Sequence, residues 1–170
     1  MILEIVLKGG PGGGKSETLE YVSEKLTAMG HRVFIIHEVP TQFIYPGLPD
    51  INEIALTNYP LYLEIQRLMI KDHAQRRSVI KELALKLTDK PIIIIHDRAS
   101  MDFCSYMDEA SFSKSISDLG LTPYDVCESY DGVVHMVTAA YGAERHYTTK
   151  NNKAPTTLQP YHNYNNCRFP

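Results

Sequence analysis

A glycine-rich segment near the N-terminus carries the residues best suited to chemistry. Residues 9–16 read Gly-Gly-Pro-Gly-Gly-Gly-Lys-Ser and fit the phosphate-binding pattern G-x-x-x-x-G-K-[ST], the Walker A motif. Its glycines let backbone N–H groups point inward around a phosphate without side-chain obstruction. Lys15 supplies an ammonium for the β- and γ-phosphates, and Ser16 supplies a hydroxyl for Mg²⁺. The alternative is a glycine-rich turn that merely precedes a helix.

The motif therefore predicts a site for ATP or GTP with Mg²⁺ as cofactors. The helix that starts near Lys15 directs the positive end of its dipole at the same anion. We assign cofactor binding to the following residues: Gly9, Gly12, Gly13, Gly14, Lys15, Ser16 and Glu17.

A second candidate follows a run of four isoleucines. Residues 92–95 are followed by His96, Asp97 and Arg98, so an apolar strand delivers a carboxylate at its carboxyl end, as a Walker B strand does. Ligands of open α/β sheets bind at that edge. We expect Asp97 and Ser16 to be the metal-binding residues, with Asp97 reaching Mg²⁺ directly or through water. A helix N-cap is the alternative role for Asp97.

Three further residues are candidates for a phosphoryl-transfer step. Glu38 ends the predicted second strand and would accept a proton from a substrate hydroxyl, or it is an ordinary loop glutamate. Arg98 would clamp a phosphate or pair with a nearby acid. Arg145 follows the predicted fourth strand, where a basic lid residue or a plain solvated loop is expected. With Lys15 and Asp97, these residues form the predicted catalytic set.

Asp102 and two histidines are not included in the predicted catalytic set. Asp102 completes the loop after Arg98 or caps a helix, and the sequence leaves both roles open. His73 and His135 show no metal-ligand spacing, so they are expected to be structural or surface groups.

Strands and helices alternate along the chain around these residues. Predicted strands cover residues 2–7, 33–36, 92–95 and 133–137, and predicted helices cover residues 16–29, 61–87, 101–107, 112–119 and 123–129. Residues 39–60 are expected to form a loop with a short helical piece near 51–56. The isoleucine run, apolar on both faces, is typical of a central parallel strand covered on both sides. The pattern predicts an α/β, three-layer P-loop NTPase fold with a mostly parallel sheet.

Composition limits the class of protein. The chain has 170 residues, 44% of them apolar, and a net charge of −3, so we expect one globular domain and no broad nucleic-acid or membrane surface. Three scattered cysteines form no CxxC pair and are interpreted as incidental thiols of a reducing compartment. No signal peptide or membrane-length apolar run is recognised, which favours the cytoplasm. We expect a nucleotide-binding domain over 1–150 and an irregular tail over 151–170.

Several separate stretches together resemble a known family. They are the phosphate loop, the Glu38-Val-Pro turn, the Asp97-Arg98 pair and residues 134–144. On these the chain resembles the NadR-type ATPase/kinase domains, the group that includes a nicotinamide riboside kinase domain, and more closely the eukaryotic branch of that group. The resemblance implies a nucleoside-kinase-like fold in which the Walker A and Walker B strands are adjacent. It also implies roles for Glu38 and Asp97-Arg98, because related kinases place a substrate-activating acid and a D/E-R pair there.

Three functions remain open at this point. The first is a kinase that transfers the γ-phosphoryl group of a nucleoside triphosphate to a small hydroxyl acceptor, such as a nucleoside or nucleotide. The second is an ATP- or GTP-controlled regulatory or trafficking protein with weak or no kinase activity, as one member of the resembled group acts in trafficking. The third is a degenerate family member that binds nucleotide poorly. None of them requires nucleic acid or a membrane span.

Overall fold

The computed structural model describes residues 1–10, 13–44, 47–87 and 89–137. Strands and helices alternate through this part of the chain, as the sequence predicts. The strands are β1 (Ile2–Gly9), β2 (Arg32–Ile36), β3 (Ile92–Asp97) and β4 (Gly132–Met136). The α-helices are α1 (Lys15–Ala28), α2 (Val39–Ile44), α3 (Ile51–Thr57), α4 (Tyr59–Lys86), α5 (Glu109–Ser117) and α6 (Pro123–Glu128), and a 3₁₀ helix covers Ser100–Ser105.

The four strands form one parallel sheet in the order β2-β3-β1-β4. Strand β1 pairs with β3 from Ile2 opposite Ile92 to Leu7 opposite Asp97. The strand that leads into the glycine-rich segment therefore lies directly beside the strand that ends in Asp97. This confirms the α/β fold with a parallel sheet and shows the strand adjacency that the resemblance implies.

Helices cover both faces of the sheet because β3 is apolar on both sides. Ile93 and Ile95 point to the face covered by α1 and pack with Leu19. Ile92 and Ile94 point to the opposite face and pack with Ala84 of α4. Alternate residues of a strand face opposite sides, so the isoleucine run serves both layers. The result is the predicted arrangement of three layers.

A third apolar cluster fixes the 3₁₀ helix and the shorter α-helices against α4. Met69 and Ile70 of α4 are at most 1% exposed and pack against Phe103, Phe112 and other apolar side chains. Burying such side chains contributes roughly 1.5–3 kcal/mol each. The cluster holds the 3₁₀ helix in place immediately after β3, and that helix forms one wall of the cleft described below.

Side-chain caps mark where the later helices begin. Asn58 accepts a hydrogen bond from the N–H of Leu61 at 3.2 Å at the start of α4. Asp108 does the same for Ser111 at 2.9 Å at the start of α5, and Thr122 caps α6. These residues satisfy N–H groups that have no partner inside the helix.

The segment after β2 differs from the sequence prediction. Residues 39–44 form helix α2, where a loop was expected. Pro40 lies in the first turn of this helix, a position that tolerates proline because the missing N–H would have no helical partner there. Six residues are too few for a recognisable helical periodicity, and Val39 is buried by contacts that come from α4 and the 3₁₀ helix.

A buried ionic link joins β1 to α4. Glu4 is 3% exposed, and its carboxylate lies 2.6 Å from Arg77 Nε and 2.6 Å from Lys81 Nζ. His96 Nε2 lies 3.1 Å from the same carboxylate. Burial opposes the charge, but the hydrogen bonds from His96, Arg77 and Lys81 outweigh it and hold the pKa of Glu4 well below its usual range. The carboxylate is therefore ionised, and it orients α4 on the sheet.

The predicted division into residues 1–150 and 151–170 stays a prediction, because residues 138–170 lie outside the described residues. Cys127 is a free, half-buried thiol, but Cys104 is disulfide-bonded, so the interpretation of every cysteine as an incidental thiol is wrong. Within the described ranges, every helix is too short or too polar to cross a bilayer.

Candidate functional site

The phosphate loop follows β1 and leads into α1. Gly14, at the start of the helix, has φ 71°, a left-handed conformation that costs any other residue roughly 1–2 kcal/mol. Gly9 is constrained differently, because a Cβ there would lie 2.5 Å from the carbonyl oxygen of Met136. Strand β4 therefore passes close enough to β1 that only glycine fits at the beginning of the motif.

The ammonium of Lys15 is folded back over this loop. Nζ donates to the carbonyl oxygens of Gly9 and Gly10 at 2.8 and 3.0 Å. Burial lowers the pKa of Lys15, and Arg98 lowers it further, while Asp97, Glu38 and Asp102 act in the opposite direction. Lys15 is thus within electrostatic range of the other charged candidates.

Ser16 and Glu17 occupy the first turn of α1 and are both exposed. The hydroxyl of Ser16 is therefore accessible from solvent at the phosphate loop. Gly13 is half-buried beside Gly10, and a Cβ on it would approach the Gly10 carbonyl oxygen to 3.3 Å. Gly12 lies outside the described residues.

Asp97 is the last residue of β3 and is buried. Its Oδ1 has no hydrogen-bond partner among the described residues. Burial raises the pKa of this carboxyl, and the nearby Glu38 raises it further, against the opposing effects of Lys15 and Arg98. A buried carboxylate oxygen without a partner is costly unless a cation satisfies it.

The chemistry of Asp97 and Ser16 fits Mg²⁺. Both offer hard oxygen donors, and Mg²⁺ usually takes one or two protein oxygens together with water and phosphate oxygens. The described part of the chain contains no cluster of three or more His, Cys, Asp or Glu side chains that would hold a metal by itself.

Glu38 and Arg98 form an ion pair next to Asp97. Arg98 Nε lies 2.9 Å from Glu38 Oε2, and both side chains are mostly buried. Glu38 lies in the short connection between β2 and α2, and Arg98 directly follows β3. Neighbouring parallel strands end at the same edge of the sheet, which is why residues 60 positions apart in sequence meet here.

Arg98 has an unusual backbone conformation. Its φ is 69°, which makes it the one non-glycine residue with positive φ in the described ranges. Its N–H donates to the carbonyl oxygen of Leu7 at 3.0 Å, and its NH1 donates to the hydroxyl of Tyr106 at 2.7 Å. Non-glycine residues with this conformation persist where surrounding contacts hold them, and they concentrate at functional sites.

Asp102 caps the turn that follows Arg98. Its Oδ2 accepts a hydrogen bond from the N–H of Ala99 at 2.8 Å, and its Oδ1 lies 3.6 Å from Lys8 Nζ. Of the two roles left open by the sequence, the geometry shows the cap, at the start of the 3₁₀ helix.

His73 lies in the middle of α4 and is 2% exposed. Its Nδ1 lies 2.8 Å from Ser100 Oγ, and burial, then the neighbouring His96, lowers its pKa to about 3. The ring is therefore neutral at physiological pH. His73 is a structural residue, one of the two roles expected from the sequence, while His135 is exposed.

A cleft lies between the carboxyl end of the sheet and the 3₁₀ helix. The lining consists of Glu38, Val39, Pro40, His73, Asp97, Arg98, Ala99, Asp102, Phe103 and Tyr106. The sequence alone does not indicate that His73 and Tyr106 line this cleft. Neither belongs to a motif, and each reaches the cleft only because α4 and the 3₁₀ helix pack beside β3.

The structure brings together four of the five predicted catalytic residues, Lys15, Glu38, Asp97 and Arg98, and Asp102 acts electrostatically on Lys15 as well. Arg145 lies outside the described residues. Three acids, two basic side chains and a glycine-rich loop thus meet at the carboxyl ends of β1 and β3.

A family model described as an AAA domain matches residues 4–157. This range includes the phosphate loop, strand β3 and every residue that lines the cleft. The chain belongs to the AAA domain family. A search of curated protein sequences gave no match to this AAA domain.

Two solved structures are similar to this AAA domain. One is a deoxyadenosine kinase from M. mycoides with products dCMP and a flexible dCDP bound, at 19% identity and a TM-score of 0.52, covering 89% of this chain and 73% of that chain. The other is a thymidylate kinase from Ehrlichia chaffeensis, at 15% identity and a TM-score of 0.41, covering 85% of this chain and 95% of that chain. At such identities, the first of these likenesses shows the fold, which is that of a P-loop nucleoside kinase.

Proposed function

We propose that the chain binds ATP or GTP with Mg²⁺ and transfers the γ-phosphoryl group to a small hydroxyl acceptor. One observation carries the proposal: Lys15, Asp97, Glu38 and Arg98 gather beside the phosphate loop, within electrostatic range of one another. Phosphoryl transfer depends mainly on positioning and charge stabilisation, and this cluster supplies both.

On the donor side, the loop and α1 bind the phosphates. Backbone N–H groups and the positive end of the helix dipole attract the anion. Lys15 must leave the carbonyls of Gly9 and Gly10 to reach the β- and γ-phosphates. Ser16 and Asp97 would hold Mg²⁺, which neutralises the phosphate charge that develops during transfer.

On the acceptor side, Glu38 takes the proton from the attacking hydroxyl. The acceptor oxygen forms a bond to the γ-phosphorus, the bond to the leaving diphosphate breaks, and the hydroxyl proton moves to the Glu38 carboxylate. Arg98, 2.9 Å from Glu38, is placed to stabilise negative charge on the transferred group. Arg145 is proposed to act as a basic lid residue that adds to this stabilisation.

A nucleoside or nucleotide is the proposed acceptor. The fold similarity to a deoxyadenosine kinase and the resemblance of the sequence to NadR-type kinase domains both support this class. The NadR-type assignment is itself part of the proposal, and it adds nicotinamide riboside to the acceptors worth testing.

Calorimetric titration of ATP and GTP, each with Mg²⁺, into the wild type and Lys15→Ala tests nucleotide binding. We expect the variant to bind at least about tenfold more weakly, because it lacks the ammonium that contacts the phosphates. Lys25→Ala, in the last turn of the same helix, is the matched control and should bind as the wild type does. Absence of binding to either nucleotide would overturn the proposal.

An acceptor screen then tests the transfer. Ribonucleosides, deoxyribonucleosides, their monophosphates and nicotinamide riboside are offered with the preferred triphosphate, and acceptor-dependent loss of the triphosphate is measured. Transfer to one of them supports a kinase. Tight binding with slow hydrolysis, no acceptor and nucleotide-dependent capture of a partner would instead indicate the regulatory or trafficking function.

A further inference from the structure

Among the described residues, two different groups contact the guanidinium of Arg98 from two sides. Nε pairs with the Glu38 carboxylate at 2.9 Å, and NH1 donates to the Tyr106 hydroxyl at 2.7 Å. The first contact is between opposite charges, whereas the second acceptor is a neutral phenol. The two contacts therefore respond differently when a proton enters the site.

The backbone fixes where the Arg98 side chain starts. Its φ of 69° is held by the hydrogen bond from its N–H to Leu7 in β1. Immediately after it, Asp102 Oδ2 accepts the N–H of Ala99 at 2.8 Å. The turn between β3 and the 3₁₀ helix is therefore locked at both ends, and the guanidinium is directed into the cleft.

Tyr106 is itself held firmly. Its N–H donates to the carbonyl oxygen of Phe103 at 2.9 Å at the end of the 3₁₀ helix. Its own carbonyl oxygen accepts a hydrogen bond from the Tyr62 hydroxyl of α4 at 2.7 Å. Tyr106 is half-buried and lines the same cleft as Glu38 and Asp97.

Proton transfer changes the first contact and not the second. When Glu38 accepts the hydroxyl proton, as the proposed function requires, its carboxyl becomes neutral and its charge attraction for Arg98 disappears. During this step negative charge develops around the transferred phosphoryl group, and a nearby cation stabilises it. The hydrogen bond from Arg98 NH1 to the Tyr106 hydroxyl does not depend on the charge of Glu38, so it persists.

We propose that Tyr106 is a positioning residue that keeps the Arg98 guanidinium aimed into the cleft while Glu38 is protonated. The inference rests on the proposed kinase function. It assigns Tyr106 an effect on the transfer step that acts through Arg98 and leaves nucleotide binding at the phosphate loop unchanged.

A double-mutant cycle tests this role. Tyr106→Phe removes only the hydroxyl, and we expect kcat for the best acceptor of the screen to fall about tenfold, with the Kd of the Mg²⁺-nucleotide within about twofold of wild type. In an Arg98→Ala background, the same substitution should change kcat by less than about twofold, because its effect passes through Arg98. Equal losses in both backgrounds would overturn the proposal, since they would show a general structural effect.

Tyr59→Phe is the control. It also removes a tyrosine hydroxyl from α4, but that hydroxyl bonds to Asp108 rather than to Arg98 or Tyr106. Its effects and those of Arg98→Ala should be additive. Coupling as strong as that of Tyr106 would contradict the specific role of the Tyr106 hydroxyl.

A measurement without turnover separates this inference from the proposed function. In ¹⁵N-labelled protein, solvent exchange of the Arg98 Nε–H reports how firmly the guanidinium is held. Tyr106→Phe should speed this exchange severalfold, and Tyr59→Phe should not. Unchanged exchange in Tyr106→Phe would refute the positioning role even in an active kinase, whereas faster exchange in a protein without acceptor activity would retain the contact and refute the kinase.

Discussion

At the scale of single residues, burial shifts the pKa values of Lys15 and Asp97 in opposite directions, and both shifts favour the uncharged form of the side chain. The pKa of the Lys15 ammonium is lowered and that of the Asp97 carboxyl is raised, so the charged form of each is disfavoured. In the proposed function, a nucleotide with Mg²⁺ would supply further opposite charges, the phosphates for Lys15 and the cation for Asp97. The residues of the site are therefore poorly satisfied alone and well suited to that ligand.

Gly9 offers the sharpest test at this scale. Gly9→Ala places a Cβ 2.5 Å from the carbonyl oxygen of Met136, so β4 must move, and we expect a loss of about 1–3 kcal/mol in the free energy of unfolding. Gly132→Ala, in β4, is the control because a Cβ there meets nothing within 4 Å. Urea unfolding of both variants measures the difference. Equal stabilities would contradict the close approach of the two strands.

At the scale of elements, the ionic link between β1 and α4 can be tested by single substitutions. Arg77 donates from Nε and NH2 to both carboxylate oxygens of Glu4, and its NH1 donates to Ser129 Oγ at 2.8 Å. Its guanidinium also lies 4.5 Å from the ring centroid of Tyr130. One side chain of α4 thus reaches β1 and the end of α6 together.

Arg77→Ala should cost about 1.5–3 kcal/mol, because it removes charge-assisted hydrogen bonds from the buried Glu4 carboxylate and leaves it only Lys81 and His96. Arg67→Ala is the matched control on the same helix. Arg67 also makes a two-pronged pair, with Glu64 at 2.6 and 2.9 Å, but that pair is exposed, and its loss should change the free energy of unfolding little. Chemical unfolding measures both losses, and similar values would show that the buried link contributes no more than a surface pair.

Local patterns predicted most of the elements, and their limits are physical. The isoleucine run of β3 and the long periodic stretch of α4 carry their own signals, and the predicted ends of both lie within two residues of the observed ends. Helix α2 was missed because contacts from elsewhere in the chain, rather than its own six residues, stabilise it. The predicted site residues come from motifs at strand ends, whereas Tyr106 and His73 enter the cleft through tertiary packing that no local pattern records.

At the scale of the whole molecule, two buried histidines and one buried carboxylate govern the response to pH. Burial lowers the pKa of His73 to about 3 and also lowers that of His96, each from an ordinary value of 6.5. Hydrogen bonds and charge lower the pKa of Glu4 from 4.5. In all three cases the unfolded chain takes up protons before the folded chain does, so acid favours unfolding.

The free energy of unfolding should therefore be highest above pH 6.5 and decrease as the pH falls toward 3. Each histidine contributes at most about 1.4 kcal/mol per pH unit in the window between its unfolded and folded pKa. Urea unfolding at pH 7.5, 6.5, 5.5 and 4.5 measures how the free energy of unfolding changes with pH. His73→Asn should reduce this slope by up to about 1.4 kcal/mol per pH unit, the contribution of one proton. A slope that His73→Asn does not change would show that this ring is not buried in its neutral form.

The strand order has a further consequence, for the time at which the protein becomes functional. Glu4 in β1 meets His96, 92 residues later, and Asp131, 127 residues later, so both neighbours of the first strand come from distant parts of the chain. Contacts between such distant segments form slowly, since a long stretch must be closed before they can stabilise anything. The glycine-rich segment, although it lies among the first residues, is thus expected to acquire its shape late in folding. Nucleotide binding would then serve as a marker for completed assembly of the sheet.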